Sequence, residues 1–378
     1  MSRTVLVTGA RGFVGSNLML HLQRRPDLSV IGVGRDDDLD AAITRLSSDD
    51  IVFHLAGVNR PISPDEFATG NAGLTELLCD KLAARGIAPT LVLSSSIQAA
   101  LDNPYGISKR QGEDCVREYG RQNPGKAVIY RLPNVFGKWA RPNYNSVVAT
   151  FCNNIANHLP IQVNDPGAPL TLLYVDDLIS TWLDLLDGSP DHADQNGFGA
   201  LSTVYHTTVG ELASTIESFR TSRQSLITEP VGRGLARALH ATYLSYLRPE
   251  QFSYGLTTHA DARGEFVEMI KTNDSGQVSF FTCRPGITRG GHFHHSKTEK
   301  FLVVCGRGLF KFRHMVSGET AQLETSDQNY QIVETVPGWT HDITNIGDDD
   351  MIVMLWANEI FDPQRPDTYQ EPVDHAKP

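Results

Sequence analysis

Apolar and polar positions along this chain follow three successive rhythms. Up to about residue 180, short apolar runs such as TVLVTG, LSVIGVG, DIVFHLAG, TLVLSSS and KAVIYRLP alternate with longer segments of helical periodicity. This rhythm predicts an α/β fold, a doubly wound parallel sheet covered by helices. Residues 181–250 are predicted to be largely helical. From about residue 253, short strands separated by Gly, Asp and Asn turns predict an all-β barrel.

The change of rhythm predicts two domains, residues 1–252 and 253–378. Pro249 and Gly255 lie at this change, and both residue types interrupt regular structure. The length of 378 residues exceeds what one hydrophobic core usually serves, and a hydrophobic content of 40% is ample for two cores.

Composition argues against several classes of function. A formal net charge of -11 opposes a role in nucleic-acid binding, which requires a concentrated basic surface. The five cysteines include no close pair, which indicates reduced thiols and a cytoplasmic location. The first predicted strand leaves no room for a signal peptide, and no run of 18 apolar residues occurs, so we expect no membrane insertion.

A glycine-rich turn, TGARGFVG, follows the first predicted strand and precedes a helical pattern. Side chains on its glycines would keep the backbone away from a pyrophosphate, which the N-terminus of the following helix stabilises. The turn therefore predicts a dinucleotide site that contains Gly9, Arg11, Gly12, Phe13 and Gly15.

The residue that follows the second predicted strand bears on the choice of nicotinamide nucleotide. Arg35 stands where NAD-binding proteins often have an acidic residue that holds the ribose 2′-hydroxyl. Together with Arg11 it favours a 2′-phosphate, and hence NADPH. The alternative is that Arg35 is solvated and Asp36 holds the ribose.

A catalytic group is predicted between the fourth strand and the next helix. Ser96 ends SSS, and Tyr105 and Lys109 stand four residues apart in YGISK, so they share one helical face. An ammonium beside a phenol lowers the pKa of the phenol, which could then exchange a proton with a substrate oxygen. The alternative is a surface helix turn with a solvated lysine.

The barrel segment contains a pattern of metal ligands. Two histidines at alternate strand positions face the same side, and a glutamate and a third histidine would complete the site: His292, His294, Glu299 and His341. We favour zinc, although manganese, iron and nickel accept the same ligands. His295 is predicted to face the opposite side. The alternative is scattered surface histidines, since the chain has 13.

Two family resemblances rest on these motifs. TGARGFVG, HLAGVNRP, SSS, YGISK, RLPNVFG and YVDDL occur in the order typical of an extended short-chain dehydrogenase/reductase, a Rossmann-type fold. This implies that Ser96, Tyr105 and Lys109 are catalytic, that Asn71 supports the tyrosine helix and that Asn134 lies at the sugar-nucleotide edge. The glycine, His-x-His, glutamate and PGxxHxxxN spacing resembles the cupin signature, a double-stranded β-helix barrel.

The order of reductase and cupin, with FGKWARPNYNSVVATFC, DARGEF and FDPQRPDTY, resembles the bifunctional enzymes of capsular polysaccharide synthesis. That resemblance implies a pathway to UDP-N-acetyl-L-fucosamine. The cupin would invert carbon 3 of a UDP-4-keto-6-deoxy-N-acetylhexosamine. The reductase would reduce the carbon 4 ketone with NADPH to UDP-2-acetamido-2,6-dideoxy-L-talose.

The cupin resemblance also implies roles that conflict. In metal-free deoxysugar epimerases His292 would be the base and Lys300 an oxyanion-side lysine, but a histidine whose lone pair binds a metal cannot accept a proton. We expect zinc at the four ligands, with Lys300 as a catalytic helper and Arg263 and Arg289 as diphosphate contacts. The alternative for both arginines is that each is a solvated charge on a strand.

Two alternatives remain for the chain as a whole. The first is an NADP-dependent nucleotide-sugar reductase or dehydratase whose cupin binds metal only for stability and dimerisation. The second is a non-enzymatic sugar-binding or scaffolding protein. In the favoured interpretation the chain binds a UDP-sugar and forms a homodimer through its cupin domain.

Overall fold

The computed structural model describes residues 3–63, 65–188, 193–194, 196–261, 264–267, 270–272, 276–359 and 364–374. The first elements, in chain order, are β1 (Arg3–Thr8), α1 (Phe13–Leu22), β2 (Leu28–Val33), α2 (Leu39–Ile43), β3 (Ile51–His54), α3 (Asp65–Phe67), a π-helical turn (Ala68–Gly73), α4 (Leu74–Ala84), β4 (Thr90–Ser96), a 3₁₀ turn (Ile97–Ala100), α5 (Pro104–Gln122), β5 (Ala127–Leu132), β6 (Asn134–Phe136), α6 (Val147–Ala156), β7 (Pro169–Tyr174), α7 (Val175–Leu186) and β8 (Tyr205–Thr208).

The later elements are α8 (Val209–Ser225), β9 (Ile227–Thr228), α9 (Gly234–Leu244), a 3₁₀ turn (Pro249–Gln251), β10 (Ser253–Gly255), β11 (Thr258–Asp261), β12 (Gly264–Val267), β13 (Lys271–Thr272), β14 (Gln277–Cys283), β15 (Thr288–Phe293), β16 (Glu299–Cys305), β17 (Arg307–His314), β18 (Thr320–Ser326), β19 (Gln331–Glu334), β20 (Trp339–Asn345), β21 (Met351–Ala357) and β22 (Tyr369–Gln370).

Contacts divide the chain into two compact units that differ from the predicted halves. The first comprises Met1–Val135 and Thr171–His206, and the second comprises Phe136–Leu170 and Thr207–Pro378. Helices α6, α8 and α9 pack on one another and belong to the second unit. The boundary at residue 252 was placed where the sequence rhythm changes, and as a domain boundary it stays a prediction.

The first unit is built on a parallel sheet with strand order β2-β1-β3-β4-β5. Strands β1, β3 and β4 are apolar and mostly buried because helices cover the sheet, with α1 packed on α7 and α4 packed on α5. The strand order reverses beside β1, and ligands bind at the carboxyl ends of the strands near such a reversal. The predicted doubly wound parallel sheet is confirmed.

The second unit contains two antiparallel sheets, with orders β10-β19-β16-β21-β14 and β18-β17-β20-β15-β22. Aromatic side chains fill the interior: Phe293, Phe301, Phe310 and Phe312 are all buried. The predicted antiparallel, cupin-like barrel region is confirmed. Strands β15 and β16 belong to different sheets, so each sheet brings its own part of the predicted metal site.

All five cysteines are free thiols. Among the described residues, no helix has both the length and the apolar character needed to cross a membrane.

A buried ionic network joins the helical and barrel parts of the second unit. Glu334 on β19, 2% exposed, lies 3.3 Å from the Lys300 ammonium on β16 and 3.0 Å from the Arg223 guanidinium on α8. Lys300 also donates to the hydroxyl of Tyr254 on β10, at 2.8 Å. Burial alone would raise the pKa of Glu334, but Arg223 and Lys300 lower it below its usual value. The network therefore ties a helix and three strands together around one carboxylate.

Removing that carboxylate should destabilise the protein strongly. Glu334→Ala leaves two cations buried without their counter-charge, and such a change costs about 3–5 kcal/mol. The midpoint of urea unfolding, followed by circular dichroism, should fall accordingly. Glu324→Ala is the matched control, because Glu324 forms an exposed pair with Arg307 that contributes at most about 1 kcal/mol. Equal midpoints for the two variants would contradict the role assigned to Glu334.

Candidate functional site

The glycine turn after β1 forms a cradle for a phosphate group. Gly9 has a φ of +67°, which glycine adopts without steric cost, and its carbonyl accepts from the Gly12 amide at 2.9 Å. A Cβ on Gly15 would lie 2.1 Å from the Gly9 oxygen, so the turn closes tightly only with glycine there. A Cβ on Gly12 would meet only that oxygen, at 3.2 Å. Phe13 begins α1, whose first amides face this cradle, so the turn fits a dinucleotide pyrophosphate.

A basic and an acidic residue follow β2, near the glycine turn. Arg35 and Asp36 are exposed. Arg11 is also exposed, and its guanidinium donates twice to the Asp37 carboxylate, at 2.7 and 2.9 Å. The same carboxylate accepts from the Gly34 amide at 2.7 Å. Asp37, rather than Asp36, is thus the acidic group held against the β2 terminus, an arrangement that strand spacing alone did not indicate.

The three predicted catalytic side chains meet at the carboxyl end of β4. Helix α5 begins at Pro104 because the Asn103 side chain accepts from the Gly106 amide at 2.8 Å and proline suits the first turn of a helix. Lys109 is buried and donates to the Ser94 carbonyl at 2.7 Å. Ser96 is the last residue of β4, and its side chain lies close enough to Tyr105 to affect the pKa of the phenol. One turn of α5 therefore places a phenol and an ammonium together beside the end of the strand.

Burial sets the protonation of this group. Desolvation raises the pKa of Tyr105, while the hydrogen bond with Ser96 lowers it. Desolvation also lowers the pKa of Lys109 to about 8, against the opposing effect of Glu113. Tyr105 therefore holds its proton at neutral pH and can donate it, and Lys109 is a cation whose charge is only partly matched.

Asn71 lies in the π-helical turn and contacts the helix that carries Tyr105. Its amide donates to the Ser108 hydroxyl at 3.0 Å, and its side chain exchanges two hydrogen bonds with the Val58 backbone, at 2.9 and 3.1 Å. It therefore supports α5 as the resemblance implied. Asn134 is exposed and donates to the Thr171 carbonyl at 3.2 Å, and its role at a sugar-nucleotide edge stays a prediction.

The four predicted metal ligands come together in the second unit. His292 on β15 is the register partner of His341 on β20, and their ring centroids are 4.8 Å apart. His294 follows β15, and its Nε2 lies 3.0 Å from Glu299 Oε2 on β16. One donor atom from each residue lies within 4.8 Å of all the others. A tetrahedral ion with bonds of about 2.0–2.1 Å needs donors roughly 3.3 Å apart, so a small contraction would suffice.

The protonation of this cluster suits a divalent cation. Burial, with a contribution from His294, lowers the pKa of His292 to about 4 and also lowers the pKa of His341. Burial alone would raise the pKa of Glu299, but His294 and Lys297 lower it below its usual value. Neither ring nitrogen of His341 has a hydrogen-bond partner among the residues that the structure describes. The neutral imidazoles of His292 and His341, a carboxylate and buried nitrogens of this kind fit a bound metal ion.

Lys300 does not join the metal cluster. Successive residues of a strand face opposite sides, so Lys300 turns away from Glu299 and enters the ionic network with Glu334 and Tyr254. The expectation that it assists chemistry at the cupin site therefore has no geometric support. His295 packs against Phe293 and Tyr369, outside the four-residue cluster.

Two arginines, Arg263 and Arg289, are predicted to contact the diphosphate. Arg289 is exposed, stacks 4.9 Å above the Phe281 ring and donates to the Thr282 carbonyl at 3.1 Å. Arg263 lies outside the described residues. A diphosphate contact stays a prediction for both.

Sequence reasoning missed Lys297, which lies beside the metal cluster. Its side chain is 9% exposed, and its ammonium lies 3.3 Å from Glu299 Oε1 and donates to the Thr368 hydroxyl at 3.0 Å. Lys297 lies in the connection between β15 and β16, two residues before Glu299, so only its nearness in sequence to the ligands could have indicated it. Lys297, and not Lys300, is the lysine that the structure places at the cluster.

Family comparisons cover both parts of the chain. Residues 5–194 match the NAD dependent epimerase/dehydratase family, and residues 259–369 match the polysaccharide biosynthesis C-terminal domain. A reductase of Pseudomonas aeruginosa, UDP-2-acetamido-2,6-beta-L-arabino-hexul-4-ose reductase, is 53% identical over 365 residues, which is 97% of each chain. The chain belongs to the NAD dependent epimerase/dehydratase family.

Solved structures show how far the similarity extends beyond the epimerase/dehydratase part. The capsular polysaccharide assembling protein CapF from Staphylococcus aureus is 43% identical, with a TM-score of 0.67 over 98% of this chain and 100% of that chain. The predicted resemblance to bifunctional capsule enzymes is confirmed. UDP-glucuronic acid 4-epimerase from Bacillus cereus covers 64% of this chain and 98% of its own, with a TM-score of 0.53. At 18% identity it supports only the fold of the epimerase/dehydratase part.

Proposed function

We propose that this chain is a bifunctional nucleotide-sugar enzyme of surface polysaccharide synthesis. The barrel site epimerises carbon 3 of a UDP-4-keto-6-deoxy-N-acetylhexosamine, and the Tyr105 site reduces the carbon 4 ketone with NADPH. The product is UDP-2-acetamido-2,6-dideoxy-L-talose, on the route to UDP-N-acetyl-L-fucosamine. The observation that carries the proposal is the presence, in one chain, of a complete Ser96–Tyr105–Lys109 group and a complete four-ligand cluster.

The substrate assignment is supported by the similarity to the Pseudomonas reductase. That protein is named for a UDP-linked 4-ulose, and the similarity covers 97% of both chains. A 4-ulose is a ketone at carbon 4, which is the group that a tyrosine-dependent reductase reduces. The same ketone acidifies the proton on carbon 3, so one substrate offers both reactions.

The proposed reductase step uses Ser96, Tyr105 and Lys109. NADPH, when bound at the glycine turn, supplies the hydride that reduces carbon 4. Tyr105 donates its proton to the carbon 4 oxygen, and Ser96 orients that oxygen by a hydrogen bond. Lys109, buried beside them, stabilises the phenolate that remains. Arg35 and Arg11 support NADPH over NADH, and in the alternative Asp36 holds the ribose of NADH.

The epimerase step requires removal of the carbon 3 proton and return of a proton to the opposite face. A divalent ion held by the four ligands supplies positive charge that favours the enolate. Zinc fits the histidine-rich donor set, with other divalent metals as alternatives. The Lys297 ammonium, 3.3 Å from Glu299 Oε1, adds a second positive charge that the chain itself provides. Since the histidines hold the metal, the base is a group other than His292.

A cytoplasmic homodimer belongs to the same proposal. Among the described strands, edge strand β14 pairs with β21 alone, and its Val278 and Phe280 side chains are 52% and 70% exposed. An apolar edge of this kind favours contact with a second copy through the barrel. The free thiols support a reducing compartment. The alternative function, a reductase or dehydratase with a purely structural metal, predicts no exchange at carbon 3.

Tyr105→Phe should separate the two reactions. Without the phenolic proton, NADPH oxidation on the UDP-4-keto sugar should fall by about 10²–10⁴-fold, whereas exchange of the carbon 3 proton in heavy water should persist. Tyr119→Phe is the matched control on the same helix, because its hydroxyl donates only to the Pro89 carbonyl. NADPH oxidation at the wild-type rate in Tyr105→Phe would remove this tyrosine from the mechanism.

His341→Ala should produce the opposite pattern. Loss of one of four ligands should weaken zinc binding on the order of 100-fold or more, and carbon 3 exchange should fall with it. NADPH binding, measured by fluorescence titration, should be unchanged. His158→Asn, an exposed histidine in the same unit, is the control. Loss of zinc with full carbon 3 exchange would show that the metal is structural, as the alternative function requires.

A further inference from the structure

The segment of residues 364–374 reaches the back of the metal cluster through Asp367. Its carboxylate accepts hydrogen bonds from three consecutive amides, those of His295 at 3.0 Å, Ser296 at 2.8 Å and Lys297 at 2.7 Å. The Ser296 hydroxyl adds a fourth at 3.1 Å. Successive amides that converge on one carboxylate form an anion-binding nest, here occupied from within the chain.

The backbone of the same residue contacts a metal ligand. The Asp367 carbonyl lies 2.6 Å from His294 Nδ1, which places the ring proton on that nitrogen. Nε2 is then the nitrogen left for a metal ion, and it lies 3.0 Å from Glu299 Oε2, another donor of the cluster. A ring orientation set through the nitrogen that does not bind metal is the usual way in which outer groups tune a metal site.

Two further observations show that Asp367 is held for this task. Its φ is +35°, a region that residues other than glycine seldom adopt, so its contacts must hold the backbone there. The following segment is anchored, since the Arg313 guanidinium donates to the Val373 carbonyl at 3.0 Å and the Pro372 carbonyl at 2.8 Å. The hydroxyl of Thr368, the next residue, accepts a hydrogen bond from the Lys297 ammonium.

We propose that Asp367 is the positioning residue of the metal centre. Its carboxylate clamps the turn between His294 and Glu299, and its carbonyl fixes the His294 ring with Nε2 towards the metal. This inference rests on the proposed metal site, but it assigns a role to a residue outside the ligand set. It predicts that metal affinity depends on a side chain that touches neither metal nor substrate.

The test measures Zn²⁺ binding to the full chain by competition with a chromophoric chelator. Asp367→Ala should weaken binding by about 10–100-fold, the range typical for loss of an outer-shell group. Asp367→Asn keeps one acceptor oxygen for the nest and should lose less. Asp374→Ala is the control, since its exposed carboxylate on the same segment pairs only with Lys311 in the described contacts and should leave affinity unchanged.

A spectroscopic measurement separates positioning from general stability. In protein saturated with Co²⁺, the visible absorption of Asp367→Ala should differ from that of wild type. Without the carboxylate, the backbone at residue 367 is no longer held, and its carbonyl no longer fixes the His294 ring. Wild-type affinity and an unchanged Co²⁺ spectrum in Asp367→Ala, or in Asp367→Asn if the alanine variant does not fold, would overturn the inference. Failure of the wild-type chain to bind Zn²⁺ would instead overturn the proposed metal site, and the inference with it.

Discussion

The constraint on which the cupin-like part depends is the burial of four ionisable donors among aromatic rings. Phe301 and Phe312 lie 6.2 and 6.3 Å from the His341 ring, so the cluster occupies an apolar interior. Polar groups buried without partners cost free energy, and within the described part of the chain neither His341 ring nitrogen has a hydrogen-bond partner, a cost that a bound cation would remove. The two sheets, the turn clamped by Asp367 and the Lys297 side chain all converge on this interior.

The epimerase/dehydratase part solves a different problem with backbone groups. Its glycine turn leaves space where a side chain would block an anion, and Lys109 is held by the Ser94 carbonyl instead of a carboxylate. The lysine charge is therefore left available to the neighbouring phenol. The two lysines differ in their partners. The Lys109 ammonium donates to a neutral carbonyl, whereas the Lys300 ammonium pairs with the Glu334 carboxylate inside the buried ionic network.

Site residues that lie in short motifs could be predicted from the sequence. A residue whose contacts are made with backbone groups far along the chain could not. Gly9, Gly12 and Gly15, the Tyr105–Lys109 pair and the four ligands lie in short motifs, and the structure brings each set together. The expectation for Lys300 came from the family pattern, whereas the structure places its ammonium with Glu334 and Tyr254. Asp367 could not be found by spacing, since its amide partners lie about seventy residues earlier and form a nest only after the chain has folded.

The central claim is that one chain carries out two reactions on one sugar, and wild-type protein with the UDP-4-keto sugar in heavy water tests it most directly. Without NADPH, nuclear magnetic resonance should show deuterium entering carbon 3 while the ketone persists. With NADPH, the product should be the carbon 4 alcohol with carbon 3 inverted, formed in equal amount to the NADPH consumed. Reduction without deuterium at carbon 3 or inversion of that centre would contradict the account and leave a reductase with a structural metal site.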